Sequence, residues 1–276
     1  MSECVARKFF LNGELQPTEL FDKSLVYEGD SVYEVIRLVN GCPVFFNDHM
    51  ERLMTGVKLQ NKELLAGAPL LREAIICLTK LEKKHDTNLK IVFNYKKSAN
   101  NFLVYFIESV YPTQIQYQKG VKGILFFAER KDPEVKVINH KLRSSICNRL
   151  IAESAYEAIL VNEDNLITEG SRTNIFFLKK GSLITAPDNM VLNGITRKNI
   201  LEICTENKIK VELDCVKVSN LKDYDAVFMT GTSPIVLPFS AIGSDLFNVM
   251  FPLIESLRKF YQAKAEASIS LFRSLK

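Results

Sequence analysis

The sequence predicts an α+β protein of two domains. Strand-like and helix-like segments come in clusters and do not alternate strictly, which is typical of α+β folds. The chain has 276 residues, of which 47% are hydrophobic and 25% are charged, so it is long enough for two cores. Between Val110 and Gly120 the periodicity is lost, which indicates a domain boundary. We therefore expect a small N-terminal α+β domain over residues 1–112, an interdomain loop over 113–120 and a larger C-terminal domain over 121–276.

The N-terminal domain is expected to begin with a hairpin followed by a long strand. Asn12-Gly13 supplies the positive backbone angles that a tight turn needs. Residues 31–39 form a β-branched and aromatic run, which is typical of a strand. Alternation along this run puts Glu34 on one face and both Tyr33 and Arg37 on the other. Neither face is therefore expected to be a uniform apolar core.

The rest of this domain is predicted to hold two helices and three strands. Asn47-Asp48 is expected to cap the first helix, and Met54 is expected to belong to its apolar stripe. Arg52 lies off that stripe, where a solvated or salt-bridged arginine is the ordinary interpretation and a ligand-binding arginine is the alternative. Pro69 suits the opening of the second helix. The predicted elements are a strand over 43–46, helices over 49–60 and 70–81, and strands over 89–95 and 102–107.

The C-terminal domain carries the most informative stretch of the chain, residues 157–200. Strand-like runs flank a predicted turn over residues 168–171, TEGS, and the sequence GITR at 194–197 opens an apolar-periodic helix. An acidic residue beside small hydroxyls, followed by a glycine turn into a helix start, suits a cofactor with a cationic ring and a phosphate. The other elements predicted here are a strand over 121–128, a helix that includes Ile146 and Ile151, strands over 208–218 and 226–229, a turn over 230–234 and a helix over 254–271.

Composition and charge argue against several classes of protein. The formal net charge of +4 is spread along the chain, so it gives little support for a nucleic-acid partner. The six cysteines form no CxxC pair and no metal-like spacing with the three histidines, so neither a metal site nor a disulfide framework is expected. With no signal peptide and no apolar run long enough to span a bilayer, the protein is expected to be cytoplasmic, with no membrane partner.

Three features together indicate chemistry at a phosphorylated cofactor. Lys136 lies in an apolar setting, VKVIN, where a desolvated amine is nucleophilic near neutral pH and can form a Schiff base. Glu169 can pair with a protonated ring nitrogen and so make the ring a better electron sink. The N–H groups of Ile195 and Thr196 at a helix start, with Arg52, could hold a dianionic phosphate. Each feature alone has an ordinary alternative, namely a surface lysine, a plain turn and a common helix entry.

Taken together and in this order, these features resemble the fold-type IV pyridoxal-phosphate enzymes, that is, the class IV aminotransferases. This group contains branched-chain aminotransferases, D-amino-acid aminotransferases and aminodeoxychorismate lyases. The TEGS motif with the NIF that follows it, together with GITR, is the most specific part of the resemblance. The matching segments run over nearly the whole chain: Gly29 to Glu34, His49 to Leu53, Lys136 to Asn139, Glu157 to Leu160, Ile167 to Ser171, Asn174 to Phe176, Gly194 to Arg197 and Gly231 to Ser233.

The resemblance implies a role for each matching residue. It implies pyridoxal 5'-phosphate as the cofactor, with Lys136 forming the aldimine and Glu169 pairing with the pyridine nitrogen. Lys141 is the rival lysine, but choosing it leaves the following helix too short. The remaining assignments are Arg52, Ile195, Thr196 and Thr232 around the phosphate, and Tyr33, Arg37 and Ser233 at the substrate.

The resemblance also implies an arrangement and a reaction. In such enzymes the site lies in a cleft between the two domains, and a homodimer completes it. We expect transamination between an amino acid and a 2-oxo acid. A branched-chain or other apolar amino acid is favoured, because the strands around Tyr33 and Phe93 are apolar and aromatic. The alternatives are an aminodeoxychorismate lyase, in which Lys136 drives elimination of pyruvate, a D-amino-acid aminotransferase, and a catalytically silent homologue that binds a phosphate ligand or a partner.

One departure from the family leaves the substrate open. Residues 89–95 lack the arginine-glycine ending that often supplies a carboxylate-binding arginine. Arg172 stands where small residues are usual, and it is equally well explained as a solvated loop charge. The groups that could bind the substrate carboxylate instead are Arg37, Lys90, Asn94, Tyr95 and Lys97, and the sequence ranks none above the others.

Overall fold

The computed structural model describes residues 3–274, which form two compact units. Two segments that are distant in sequence from residues 3–110, namely 135–138 and 265–274, also belong to the first unit. The contiguous domain limits expected from the sequence stay a prediction. Within the described residues, no helix is both long and apolar enough to cross a lipid bilayer. Unit 1 comprises residues 3–110, 135–138 and 265–274, and unit 2 comprises residues 111–134 and 139–264.

Unit 1 is built on a six-stranded sheet in which every neighbouring pair is antiparallel. In chain order its elements are β1 (Lys8–Leu11), β2 (Glu14–Pro17), a 3-10 turn (Thr18–Leu20), α1 (Ser24–Tyr27), β3 (Asp30–Val39), β4 (Cys42–Pro43), α2 (Phe46–Leu59), α3 (Ala68–Glu82), β5 (Thr87–Tyr95) and β6 (Asn101–Ile107). The strand order is β2-β1-β6-β5-β3-β4.

The predicted hairpin and long strand of unit 1 are confirmed. Asn12 and Gly13 have φ of 52° and 90°, the left-handed conformations that a two-residue hairpin turn requires. Along β3, Glu34 lies on the buried face, whereas Tyr33 and Arg37 lie on the opposite, less buried face. The apolar residues beside Glu34 pack against α2 and α3 and form the main core of the unit.

The strand predicted over 43–46 is wrong, and so is the cap predicted for the helix after it. β4 ends at Pro43, and α2 already begins at Phe46. The cause is Phe45, whose φ of 53° turns the chain directly into the helix. Asn47 and Asp48 consequently lie inside the first turn of α2 and do not precede it.

Unit 2 is built on a ten-stranded mixed sheet. Its elements are α4 (Gln114–Lys119), β7 (Val121–Phe127), α5 (His140–Ala152), β8 (Glu157–Val161), β9 (Leu166–Gly170), β10 (Asn174–Lys179), β11 (Ser182–Thr185), a 3-10 turn (Asp188–Met190), α6 (Ile195–Glu206), β12 (Val211–Leu213), β13 (Val216–Lys217), a 3-10 turn (Val218–Asp223), β14 (Ala226–Gly231), β15 (Ile235–Ile242), β16 (Asp245–Leu246) and α7 (Pro252–Ser274), whose end belongs to unit 1.

The sheet of unit 2 runs in the order β12-β11-β10-β14-β15-β7-β8-β9-β13, with β16 beside β15. The pairs β11–β12, β15–β7 and β7–β8 are parallel, and the other pairs are antiparallel. Sequence analysis did not predict β15. This strand contains Pro238, and a proline inside a run normally argues against a paired strand because it lacks an N–H donor.

The predicted TEGS turn is wrong in its position. Residues 168–170 belong to β9, and the reversal comes just after them, where Gly170 N–H donates to Thr173 O at 2.7 Å. Glu169 therefore lies on a regular strand, which fixes the direction of its side chain.

Two other segments of unit 2 have a different secondary structure from the one predicted. The expected interdomain loop contains α4, because Thr113 and Gln116 form a capping box that starts a helix. The strand predicted over 208–218 is two short strands, β12 and β13, separated at Asp214 and Cys215.

Two apolar residues predicted for buried helix stripes are exposed. Met54 in α2 is 41% exposed and Ile151 in α5 is 73% exposed. In α2 the residues Met50, Leu53 and Val57 suffice to cover the sheet, because positions three and four apart share one face.

We predict that Gly29→Ala destabilises the protein more than Gly181→Ala does. Both glycines have φ close to +80°, 77° and 79°, so both substitutions carry a left-handed penalty of about 1 kcal/mol. A Cβ at Gly29 would also lie 2.3 Å from Tyr95 O, whereas at Gly181 it would meet nothing within 4 Å. Thermal unfolding followed by circular dichroism measures the two losses. Equal losses of stability in the two variants would mean that the backbone moves away from Tyr95 O at no cost in free energy.

Candidate active site

Lys136 lies in a short segment that pairs with the start of β3. Tyr33 N–H donates to Lys136 O at 3.1 Å and Ile138 N–H donates to Ser31 O at 3.3 Å, with an antiparallel bridge between these bonds. The Lys136 side chain is partly buried, and its Nζ lies 4.9 Å from the centroid of the Tyr33 ring. The rival, Lys141, is exposed on α5. Of the two lysines, Lys136 therefore has the more desolvated side chain.

Arg52 is held by a buried carboxylate. Its Nε and Nη2 donate to Glu34 Oε1 and Oε2 at 2.7 and 2.6 Å, and His49 Nδ1 lies 2.7 Å from Oε2. Burial alone would raise the pKa of Glu34, but the charge of Arg52 and the hydrogen bonds from both partners lower it to about 2. Burial also lowers the pKa of His49, and the positive charges of Arg52 and Lys136 lower it further against the opposing effect of Glu34. Because both oxygens of the ionised Glu34 accept hydrogen bonds from Arg52, they fix the position and the orientation of its guanidinium.

Three residues considered for the substrate carboxylate are engaged elsewhere or exposed. Asn94 is buried, and its Nδ2 donates to a carbonyl oxygen of the loop before β3 and to the Ser31 hydroxyl within β3. Tyr95 OH donates to a carbonyl oxygen after α2, and Lys97 is exposed. Phe93 lies in the main core on the face opposite Tyr33, so it does not contribute to an apolar surface around Tyr33.

The two other candidates share the face of Tyr33. Lys90 lies directly opposite Val35 on β5, so its side chain is on the same side of the sheet as Tyr33 and Arg37. Lys90 is 1% exposed. Arg37 lies four residues beyond Tyr33 on β3, which is roughly 13 Å along a strand. The structure therefore brings Lys90, and not Arg37, close to Tyr33.

Glu169 is a buried carboxylate whose two oxygens both have partners in unit 2. Arg130 Nη1 lies 3.1 Å from Oε1, and Leu192 N–H donates to Oε2 at 3.0 Å. Glu169 is 3% exposed. Sequence analysis did not single out Arg130, which stands in the charged segment RKDPE at residues 130–134.

The start of α6 is joined to Glu169 through the segment that precedes it. Asn174 Nδ2 donates to Leu192 O at 2.8 Å, and a Cβ at Gly194 would lie 2.1 Å from Asn174 Oδ1. Gly194 is therefore required at the N-cap of α6, as the GITR motif predicts. No side chain caps the first turn of α6 within the described residues. Its Ile195 and Thr196 are both buried.

Arg197, in the first turn of α6, binds two residues of the segment that precedes this helix. It is fully buried, its Nη1 pairs with Asp188 Oδ1 at 2.6 Å, and its Nη2 donates to Ala186 O at 2.8 Å. Sequence analysis gave Arg197 no role beyond the motif. The spacing of residues in the sequence does not predict that the Arg197 guanidinium is buried. Its burial depends on a hydrogen bond to Ala186 O, which the fold places beside it.

Two turns of unit 2 lie side by side. Glu157 is buried at the start of β8, and it accepts three hydrogen bonds from the turn after β9, one of them from Thr173 Oγ1 at 3.0 Å. A Cβ at Gly231 would lie 3.3 Å from Thr173 Cγ2, so the turn after β14 approaches this turn closely. Thr232 and Ser233, both partly buried, follow Gly231 in that second turn.

Each unit thus gathers a part of the expected site. Unit 1 holds Tyr33, Arg52 and Lys136, and unit 2 holds Glu169 next to the segment that leads into α6. Their roles toward a cofactor stay predictions. The residues that sequence reasoning missed are those that brace these groups: Glu34, His49, Arg130, Asn174 and Arg197. Glu34 had a signal, because a glutamate on the apolar face of a strand requires a buried partner.

Comparison with known proteins supports one family. The family model described as amino-transferase class IV matches residues 31–242. A D-alanine aminotransferase from Bacillus licheniformis is 28% identical over 225 residues, which cover 78% of this chain and 79% of the relative. A chain from Methanocaldococcus jannaschii assigned as a branched-chain-amino-acid aminotransferase is 26% identical and covers 87% of this chain and 90% of its own length. An aminodeoxychorismate lyase from Bacillus subtilis is 26% identical, with 80% of each chain covered.

Solved structures have the same fold. A branched-chain amino acid aminotransferase whose crystal structure was solved with pyridoxamine 5'-phosphate superposes with a TM-score of 0.84 at 24% identity, with 95% of each chain covered. This likeness confirms the predicted fold class, a mixed α+β chain with two sheets. Because the family model matches more than half of the sequence, the chain belongs to the class IV aminotransferases, which depend on pyridoxal 5'-phosphate.

Proposed function

We propose that the protein transfers an amino group between an amino acid and a 2-oxo acid, with an apolar or branched-chain amino acid favoured, and that Lys136 binds the cofactor. The observation that carries the proposal is the buried Glu169 carboxylate, held by Arg130 and by a backbone N–H. A carboxylate fixed in this way is suited to pair with a protonated ring nitrogen.

The residues present fit pyridoxal phosphate. In unit 2, Thr230 is fully buried, and its Oγ1 has no hydrogen-bond partner among the described residues. Thr230 pairs with Asn174 across β10 and β14, so its side chain shares the face on which Asn174 meets Gly194. An unpaired buried hydroxyl on the side of an uncapped helix start suits an anionic ligand group. In unit 1, Lys136 offers a partly buried amine.

The chemistry divides between the bound group and the chain. When bound, pyridoxal phosphate supplies an electron sink for the charge that forms at the substrate α-carbon. Lys136 Nζ would hold the cofactor, and its amine would act as the base that removes the proton from the substrate α-carbon and as the acid that delivers it to the cofactor carbon. Glu169 would pair with the protonated ring nitrogen, because Arg130 and Leu192 N–H hold its carboxylate in position.

The phosphate is assigned to four groups that donate hydrogen bonds. Ile195 and Thr196 offer backbone N–H groups at a helix start, where the helix dipole favours an anion. Thr232 offers a hydroxyl in the turn after β14. Arg52 offers a guanidinium whose orientation Glu34 fixes.

The substrate is assigned to Tyr33, with Arg37 and Ser233 kept as further contacts. Tyr33 is supported by the 4.9 Å approach of Lys136 Nζ to its ring. Arg37 has weaker support, because it lies farther along β3.

Two alternatives have specific support. A D-amino acid substrate is supported by the D-alanine aminotransferase of Bacillus licheniformis, and elimination of pyruvate is supported by the aminodeoxychorismate lyase of Bacillus subtilis. Both reactions use the same proton transfer by Lys136, so the residues described above do not separate them.

We also propose that the protein acts in the cytoplasm as a homodimer. The compartment is supported by six cysteines, which form no disulfide among the described residues. The dimer rests on the resemblance to the family.

A panel of D- and L-amino acids with 2-oxoglutarate or pyruvate tests the proposed reaction. We expect turnover with L-leucine, L-isoleucine or L-valine and no release of pyruvate from aminodeoxychorismate. Turnover confined to D-amino acids would favour the first alternative. Pyruvate release from aminodeoxychorismate without any 2-oxo acceptor would overturn the transaminase proposal.

Lys136→Ala is expected to abolish the visible absorbance of the lysine-bound cofactor while leaving the far-ultraviolet circular dichroism unchanged. Lys141→Ala is the matched control, because it removes a neighbouring lysine that is exposed on α5. A visible band that persists in Lys136→Ala and disappears in Lys141→Ala would transfer the role to Lys141.

Glu169→Gln is expected to retain the cofactor but to slow α-proton transfer by about 10²-fold or more, because a neutral amide no longer stabilises the protonated ring. The α-deuterated substrate should then show an increased kinetic isotope effect on kcat. Glu163→Gln, at an exposed position of unit 2, is the control. A rate within twofold of wild type would remove Glu169 from the mechanism.

A further inference from the structure

The turn between β14 and β15 ends on a strained residue. Gly231 pairs with Ile235, so the turn between these strands comprises residues 232–234. Ile235 has φ of 56°, a left-handed conformation that β-branched residues rarely adopt. Of the described non-glycine residues with positive φ, Ile235 alone is β-branched. In short hairpins this conformation normally belongs to glycine or asparagine, so the surrounding structure has to hold Ile235 in it.

Two side chains from outside the hairpin bind the carbonyl groups on either side of Ile235. Tyr117 OH, in α4, donates to Pro234 O at 3.1 Å. Arg258 Nε, in α7, donates to Val236 O at 3.3 Å. The Arg258 guanidinium also lies 4.7 Å from the centroid of the Tyr117 ring, so the two side chains hold each other in place. All of these residues belong to unit 2.

The conformation of Ile235 determines where the turn lies. A change from the left-handed to the right-handed helical or extended region alters φ by more than about 100°. Such a change at Ile235 would rotate the three turn residues about the end of β15, and Thr232 and Ser233 are two of them. The turn is also packed closely, because a Cβ at Gly231 would lie 3.3 Å from Pro234 Cγ. The position of the Thr232 hydroxyl therefore depends on a backbone conformation that isoleucine disfavours.

We propose that Tyr117 and Arg258 are positioning residues, which hold the turn between β14 and β15 in its strained form and so place Thr232 for the cofactor phosphate. The inference deepens the proposed function and rests on it, because it requires Thr232 to contact the phosphate. Neither Tyr117 nor Arg258 is assigned a contact with the cofactor. Both act through the backbone carbonyl groups that flank Ile235.

Pyridoxal 5'-phosphate and pyridoxal are a matched pair of ligands, because both carry the aldehyde that reacts with a lysine and only the first carries a phosphate. Titration of the cofactor-free full chain, followed by visible absorbance, gives both dissociation constants. Tyr117→Phe removes one hydrogen bond and keeps the ring beside Arg258. We expect it to weaken binding of pyridoxal 5'-phosphate about fivefold and binding of pyridoxal less than about twofold, as for the loss of one uncharged hydrogen bond.

Tyr224→Phe is the matched control, because it makes the same chemical change at another tyrosine that packs against the same core of unit 2. The Tyr224 ring contacts Phe177, with 5.1 Å between the ring centroids. We expect both dissociation constants of this variant to equal those of wild type. Arg258→Met should reproduce the selective loss of Tyr117→Phe, which keeps the inference testable if Tyr117→Phe fails to fold.

Ile235→Gly tests whether the two side chains act on the strain. Glycine adopts a left-handed conformation without a steric penalty, so the turn should keep its form when the hydrogen bond from Tyr117 is absent. We therefore expect Tyr117→Phe to change the affinity for pyridoxal 5'-phosphate less than about twofold when it is added to Ile235→Gly. The same fivefold loss in both backgrounds would show that the hydrogen bond does not act through Ile235.

The two ligands also separate failure of this inference from failure of the proposed function. Equal losses for both ligands, or none, in Tyr117→Phe and Arg258→Met would overturn the positioning role alone. A wild-type chain that develops no visible band with pyridoxal 5'-phosphate would overturn the proposed function itself.

Discussion

The pairing of residues 135–138 with the start of β3 is the constraint on which the position of Lys136 in unit 1 depends. Three consecutive contacts, two hydrogen bonds and a bridge, extend the sheet by a few residues that are distant in sequence. A lysine in a free loop would sample many positions, whereas a lysine in a paired segment has its Cα fixed by the neighbouring strand. The position of Lys136 against Tyr33 is therefore a property of backbone pairing, and side-chain contacts only complete it.

Buried charges in both units follow one rule. Glu34, Glu157, Glu169, Lys90 and Arg197 are each nearly inaccessible to water, and each has charged or hydrogen-bonding partners within its own unit. Burial of a charge is costly unless it is compensated, so these partners are a condition of folding. The same partners also fix orientation, which a catalytic or binding group requires.

The fold could be predicted from the sequence where local chemistry determines the structure. Asn12-Gly13 specifies a hairpin, Gly194 specifies a helix start, and alternation along β3 separates its two faces. Prediction failed where a contact distant in sequence overrides the local preference. Pro238 lies inside β15 because strands on both sides hold it in place, and Phe45 adopts a left-handed conformation that favours polar residues and glycine.

For the candidate site, motifs selected the residues that are predicted to contact the cofactor and missed the residues that form hydrogen bonds and ion pairs with them. Lys136, Glu169 and Arg52 each lie in a short recognisable pattern. Arg130 lies 39 residues from Glu169 in sequence, and Lys90 lies 87 residues from Glu3. Such pairs follow from the fold as a whole, because nothing in either sequence neighbourhood specifies the other.

The short segment from Leu192 to Ile195 limits the distance between the hydrogen-bond donor of Glu169 and the start of α6. Leu192 N–H contacts Glu169, and α6 begins at Ile195, three residues later. Three residues span at most about 11 Å when fully extended, so the distance from the carboxylate's hydrogen-bond donor to the helix start has a covalent upper limit. A ligand that contacts both Glu169 and the start of α6 is therefore subject to that upper limit. One inserted residue between Leu192 and Gly194 would change the admissible length of the ligand without altering any group that touches it.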